Sequence, residues 1–187
     1  MDIVQLHEQA VDETVRLVDG VRPDQMNLPT PCSDWDVRTL INHMASGNVR
    51  FAVLLSRGER MSSQPNPGGL LGDDPAGAYR RSADEAKQAW ADPALLDKMF
   101  DLPFGRLPGR AALGMRLIEM VTHGWDLGKA TGQQPQFNPA AVQMASDLAR
   151  SSLPEDRPAD MPFAAPAPVA GDASDLDRFA AYLGRTP

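Results

Sequence analysis

The chain has 187 residues, enough for one domain with a sizeable core, and its 42% hydrophobic and 23% charged residues are those of an ordinary globular protein. A net charge of −7 argues against a nucleic-acid surface, and no apolar run approaches the roughly 18–20 residues of a membrane span. The one cysteine, Cys32, excludes an internal disulfide framework, and Met1-Asp-Ile-Val-Gln-Leu-His7 has no basic, apolar leader, so the expectation is a cytoplasmic protein.

Residues 2–20 carry Ile3, Leu6, Ala10, Val11, Val15, Leu17 and Val18 at helical spacing, with Gly20 and Pro23 as a stop. His7 lies in this helix with no acidic residue four away, which favours a surface or packing role. Residues 21–35 form a loop, with Ser33 or Asp34 as candidate N-cap and Trp35 as a packing anchor at the mouth of the next helix. No base or cation adjoins Cys32, so it reads as a buried, inert thiol. Residues 35–57 form the second helix, with a stripe of Val37, Leu40, Ile41, Met44, Asn48, Phe51, Ala52 and Leu55. His43 falls at the border of that stripe, and Gly47 one turn on leaves space beside it.

The Gly-, Ser-, Pro- and Asp-rich residues 58–74 read as a loop. Residues 75–91 are helical again, capped by Asp74-Pro75, with Tyr79, Ala83, Ala86 and Trp90 as the apolar face. Arg80, Arg81 and Lys87 make the other side basic; this reads as a solvated face, with contact to an anionic substrate as the alternative. Prolines and glycines over 95–109 predict a short extended excursion or hairpin over the bundle end. A central helix spans 109–131 and stops at Thr131-Gly132, with a stripe of Leu113, Leu117, Met120, Gly124 and Leu127. Beside it runs a second row of Ala112, Arg116, Glu119, His123, Asp126 and Ala130. A further helix over 138–152, an extended strap over 153–172 and a short helix over 173–183 complete the chain. The prediction is an all-α, single domain over 1–187, with a core bundle at about 2–131 and the C-terminal helices and strap at 138–187.

Glu119 and His123 are four apart, so they stack on one helical face and form half of a divalent-metal site. His43 is the candidate third donor. Two imidazoles and one carboxylate on two rigid helices suit a catalytic ion with water in its open positions. The plain alternative is a solvent-facing row with intrahelical ion pairs, since Glu-x-x-x-His also arises by chance. Asp126, three after His123, could orient its imidazole, and Arg116 is a candidate anion contact for a cofactor. Phosphate-binding glycine loops, G-x-S-x-G, C-x-x-C and H-E-x-x-H are absent.

The run Thr30-Pro-Cys-Ser-Asp-Trp-Asp-Val-Arg-Thr-Leu-Ile-Asn-His43, followed by Glu119-x-x-x-His123-Gly-Trp-Asp126-Leu, resembles the metal-binding N-terminal domain of mycothiol-dependent maleylpyruvate isomerases. That domain belongs to the DinB-like four-helix-bundle superfamily. The closing Val169-Ala-Gly-Asp-Ala-Ser-Asp-Leu-Asp-Arg-Phe-Ala-Ala-Tyr-Leu-Gly-Arg185 is similar to the end of small, stand-alone members. The resemblance implies a DinB-like bundle holding a divalent ion, usually zinc with nickel as an alternative, on His43, Glu119 and His123. It also implies an ion that activates a low-molecular-weight thiol, mycothiol, for transfer or isomerisation of an electrophile. Only about 55 residues follow the bundle, so the isomerase's separate C-terminal domain is expected to be missing or reduced to the final strap and helix, which counts against maleylpyruvate as the substrate. A non-catalytic metal- or small-ligand-binding module and a metal-free bundle are the alternatives. The expected partners are a thiol and an electrophile, without nucleic acid or membrane; pairing of two copies through an exposed helix face is open.

Overall fold

The computed structural model describes residues 1–32, 35–58, 69–103, 105–158, 161 and 163–187. Four helices form the bundle: α1 (Ile3–Asp19), α2 (Val37–Arg57), α3 (Pro75–Ala89) and α4 (Gly109–Thr131). Around the bundle each helix touches two neighbours, in the order α1, α3, α2, α4. Helix α5 (Pro139–Ser152) packs on α4 and α1, and α6 (Asp175–Tyr182) packs on α5 and α4. Strands β1 (Met99–Leu102) and β2 (Gly105–Pro108) form the antiparallel hairpin expected between α3 and α4. The architecture is the all-α, DinB-like bundle that the sequence implies. Among the described residues no helix is long and apolar enough to cross a membrane.

Local chemistry sets the helix ends. Asp2 and Gln5 form a reciprocal capping box at the start of α1. Asp74 with Pro75 starts α3, Asn138 with Pro139 starts α5, and Ser174 caps α6. Helix α4 ends where Gly132 turns left-handed at φ 73°, a conformation that side chains with a Cβ rarely adopt. The cap of α2 is Asp36, whose carboxylate accepts from Thr39 N at 2.8 Å. Ser33 and Asp34, the sequence candidates for that cap, lie outside the described residues.

The central helix is more deeply set than a single stripe predicts. From Leu117 to Gly128 every residue of α4 except the half-buried Glu119 is buried. Its glycines explain how. A Cβ on Gly124 would meet the Phe137 ring at 2.4 Å, and one on Gly128 would meet Pro135 at 2.6 Å. These small residues let the segment leading into α5 close over the outer side of α4. On α3, Arg80 pairs with Asp19 at 3.1 Å and Lys87 with Asp12 at 2.8 Å, both across to α1. The basic face of α3 is therefore engaged by surface ion pairs, as its solvated reading anticipates.

Candidate metal and thiol site

The loop before α2 is laced to the start of that helix. Val37 N donates to Leu28 O at 3.0 Å, Arg38 N to Met26 O at 2.9 Å and Thr30 N to Trp35 O at 3.2 Å. This places Trp35 over His43, with ring centroids 4.4 Å apart. His43 on α2 in turn meets His123 on α4 edge to face, with centroids 5.0 Å apart. The two histidines predicted to share a site are thus brought together, with Trp35 also 5.9 Å from His123. Burial lowers the His43 pKa to about 4, helped by nearby His123 and opposed by Glu119. At neutral pH that imidazole is uncharged and carries a lone pair.

Glu119 stands one turn before His123, with 32% of its side chain exposed. Burial disfavours its ionised form, but Arg116, His43, His123 and Arg50 outweigh this and hold its pKa below the ordinary carboxylate value. Arg116 donates from Nη1 to Glu119 Oε2 and from Nη2 to Asn48 Oδ1, the latter at 2.9 Å. Its guanidinium is 2% exposed and lies where a side chain on Gly47 would be: a Cβ there would approach Nη1 to 2.5 Å. The space beside His43 that Gly47 leaves is therefore filled by Arg116. Asn48, a polar residue in an otherwise apolar stripe, links Arg116 to Ser82 Oγ on α3 at 3.2 Å.

His123 has a second face. Its Nδ1 lies 3.1 Å from Asp126 Oδ2, as the three-residue spacing suggests. Asp126 is fully buried and also accepts from Arg185, Nε to Oδ1 at 3.2 Å and Nη2 to Oδ2 at 3.0 Å. Although burial raises the Asp126 pKa, the bonds from His123 and Arg185 prevail and keep it low. Arg185 Nη2 also donates to Cys32 Sγ at 3.0 Å, and that sulfur lies 3.6 Å from Asp126 Oδ2. The sequence shows no cation beside Cys32; the fold supplies one from the C-terminal arm. The thiol is nevertheless raised to about 11, by burial first and then by Asp126, with Arg185 opposing. Cys32 is half-buried rather than buried, and its raised pKa disfavours the thiolate at neutral pH.

Arg185 is the residue that sequence reasoning missed. Gly184, at φ 83°, turns the chain after α6, and Trp125 Nε1 anchors that helix to α4 through Asp177 at 2.8 Å. His7 lies apart from this constellation. It is 1% exposed, and neither ring nitrogen has a hydrogen-bond partner among the described residues.

The donor chemistry of His43, Glu119 and His123 suits a divalent ion: two imidazoles, one held neutral, and a carboxylate kept ionised. Among the described residues, however, the group whose potential ligand atoms all lie within 4.8 Å of one another is Cys32, His123 and Asp126. His123 belongs to both sets.

Residues 7–128 match the model of the mycothiol maleylpyruvate isomerase N-terminal domain family. The chain belongs to this family. Two relatives, uncharacterized proteins from two strains of Mycobacterium tuberculosis, are each 33% identical over 187 residues, covering 100% of this chain and 99% of theirs. The crystal structure of the mycothiol-dependent maleylpyruvate isomerase shares the fold with a TM-score of 0.62 at 16% identity, over 80% of this chain and 69% of that one. A histidine-to-alanine mutant of the same enzyme gives 0.61 at 15% identity with the same coverage. As a mycothiol maleylpyruvate isomerase N-terminal domain protein, the chain thus has full-length relatives of its own size.

Proposed function

We propose that this family member binds a divalent ion, zinc by preference, through His43, Glu119 and His123, and uses it in chemistry of a low-molecular-weight thiol of the mycothiol type. The reaction is S-transfer to, or thiol-assisted isomerisation of, an electrophilic carbon compound. The observation that carries this reading is the meeting of His43 and His123 at 5.0 Å between ring centroids, with Glu119 one turn away. When bound, the ion would supply Lewis-acid chemistry that lowers the pKa of a thiol at its open position.

The protein's own residues prepare that chemistry. Burial keeps His43 neutral, so its lone pair is available at physiological pH. Asp126 accepts at His123 Nδ1, which leaves Nε2 as the donor atom. Arg116 holds Oε2 of Glu119 and leaves Oε1 for a second partner. We assign Arg116 this orienting role, because both of its partners are within the protein. Trp35 packs its ring against His43 from the loop side.

Metal analysis of tag-free protein tests the site. The expected result is about one zinc or nickel per chain, lost in His43→Ala and in His123→Ala; equally low metal in all three proteins would overturn it. Mycothiol consumption with a panel of electrophiles then tests the chemistry. Full metal occupancy without turnover of any thiol would favour the non-catalytic binding module.

A further inference from the structure

His123 belongs to two donor sets, and a guanidinium meets each: Arg116 bonds Oε2 of Glu119, whereas Arg185 takes both oxygens of Asp126 and the Cys32 sulfur. On the Nδ1 side, Cys32 Sγ, Asp126 and His123 offer a thiol, a carboxylate and an imidazole within 4.8 Å. By donor type this is the better zinc site of the two, because a thiolate is the softer ligand. Yet Arg185 Nη2 sits 3.0 Å from both Cys32 Sγ and Asp126 Oδ2, and Nε takes the other Asp126 oxygen at 3.2 Å. The guanidinium thus covers both carboxylate oxygens and the sulfur. An ion on this face would have to displace it or lie against a like charge.

We propose that Arg185 is a metal-specificity residue: a built-in counter-cation that closes a latent Cys32–Asp126–His123 metal site and confines divalent ions to the other face of His123. Its place in the arm supports this. Its guanidinium is 8% exposed and lies 5.7 Å from the Phe163 ring centroid. Its backbone N donates to Ala180 O at 3.1 Å. The charge is therefore fixed by packing and backbone, rather than borne on a mobile surface side chain. Removing it leaves Asp126 and Cys32 with no cation among them, and a divalent ion can replace the lost charge once the thiol proton is released to solvent.

Cobalt(II), a spectroscopic stand-in for zinc, tests this on the full chain stripped of metal. Wild type and Arg185→Lys should show no thiolate-to-cobalt charge-transfer band in the near ultraviolet. Arg185→Met should gain that band with about one equivalent of cobalt, and Cys32→Ser/Arg185→Met should lack it. Thermal melts establish that the variants are folded, and Arg185→Gln replaces Arg185→Met if the latter is not. In the wild-type background, Cys32→Ser should leave cobalt affinity unchanged within twofold. A charge-transfer band in wild type, a folded Arg185→Met or Arg185→Gln without one, or a tenfold affinity loss in Cys32→Ser would each overturn the proposal. Only the wild-type comparison rests on the His43–Glu119–His123 reading. If wild type binds no cobalt at all, that reading fails while the gain of a cysteine-ligated site in the Arg185 variants is still decided.

Discussion

Replacing Gly47 by Ala normally strengthens a helix interior, by about 1 kcal/mol on propensity alone. Here the added methyl would sit 2.5 Å from Arg116 Nη1 and 3.0 Å from Cζ and Nη2. The guanidinium must move, and it is 2% exposed and bonded to both Asn48 and Glu119. Loss of one hydrogen bond to a charged group costs about 1.5–3 kcal/mol, which exceeds the propensity gain. Gly47→Ala should therefore destabilise the protein by about 0.5–2 kcal/mol, or roughly 1–8 °C in Tm for a chain of this size. In an Arg116→Ala background the obstacle is gone, and the same substitution should stabilise by about 1 kcal/mol. Equilibrium urea unfolding of the four proteins measures both signs and a coupling of about 1.5–3 kcal/mol. A stabilising Gly47→Ala in the wild-type background, or the same cost in both backgrounds, would refute the packing argument.

Two further expectations concern the bundle. Burial lowers the His7 pKa from 6.5 to about 3, with Arg116 adding to the effect. Between those values the unfolded chain binds a proton that the folded one refuses. Stability present above pH 6.5 is thus lost as pH falls, by up to about 1.4 kcal/mol per pH unit. His7→Leu should flatten that slope in urea titrations across the range and add about 1–3 kcal/mol by removing two buried nitrogens that have no hydrogen-bond partner among the described residues; an unchanged slope would show that His7 is not responsible. Asp36→Ala should cost about 1 kcal/mol by removing the α2 cap, and Asp36→Ser should restore most of it. Thermal melts of the two variants check this.

Helix spans were legible because they rest on short-range periodicity, whereas the His43–His123 encounter was legible through the family resemblance, periodicity having set each residue on the flank of a core stripe. Pro108-Gly109 and Thr131-Gly132 bracket α4 in the sequence as they do in the fold. The row Arg116, Glu119, His123, Asp126 keeps its order on the helix surface, so the Arg116–Glu119 and His123–Asp126 bonds follow from three-residue spacing. The burial of α4 on nearly every side was not legible. Its glycines look like interruptions of one apolar stripe until Phe137 and Pro135 are seen occupying the space they leave. The neighbours of Cys32 and Gly47 were hidden for another reason: Arg185 and Arg116 arrive from distant segments, and no local pattern encodes that approach. Asn48 was the available clue, an amide placed where the stripe calls for an apolar side chain, and its bond to Arg116 explains it.

The bond between Cys32 and Arg185 joins residues 153 positions apart. In a chain synthesised from its N-terminus, α1 to α4, with His43 and His123, are made before Arg185. Throughout that interval Cys32 and Asp126 lack the guanidinium that later covers them. A bundle formed in that interval would have its thiol-bearing face open until the C-terminal arm docked.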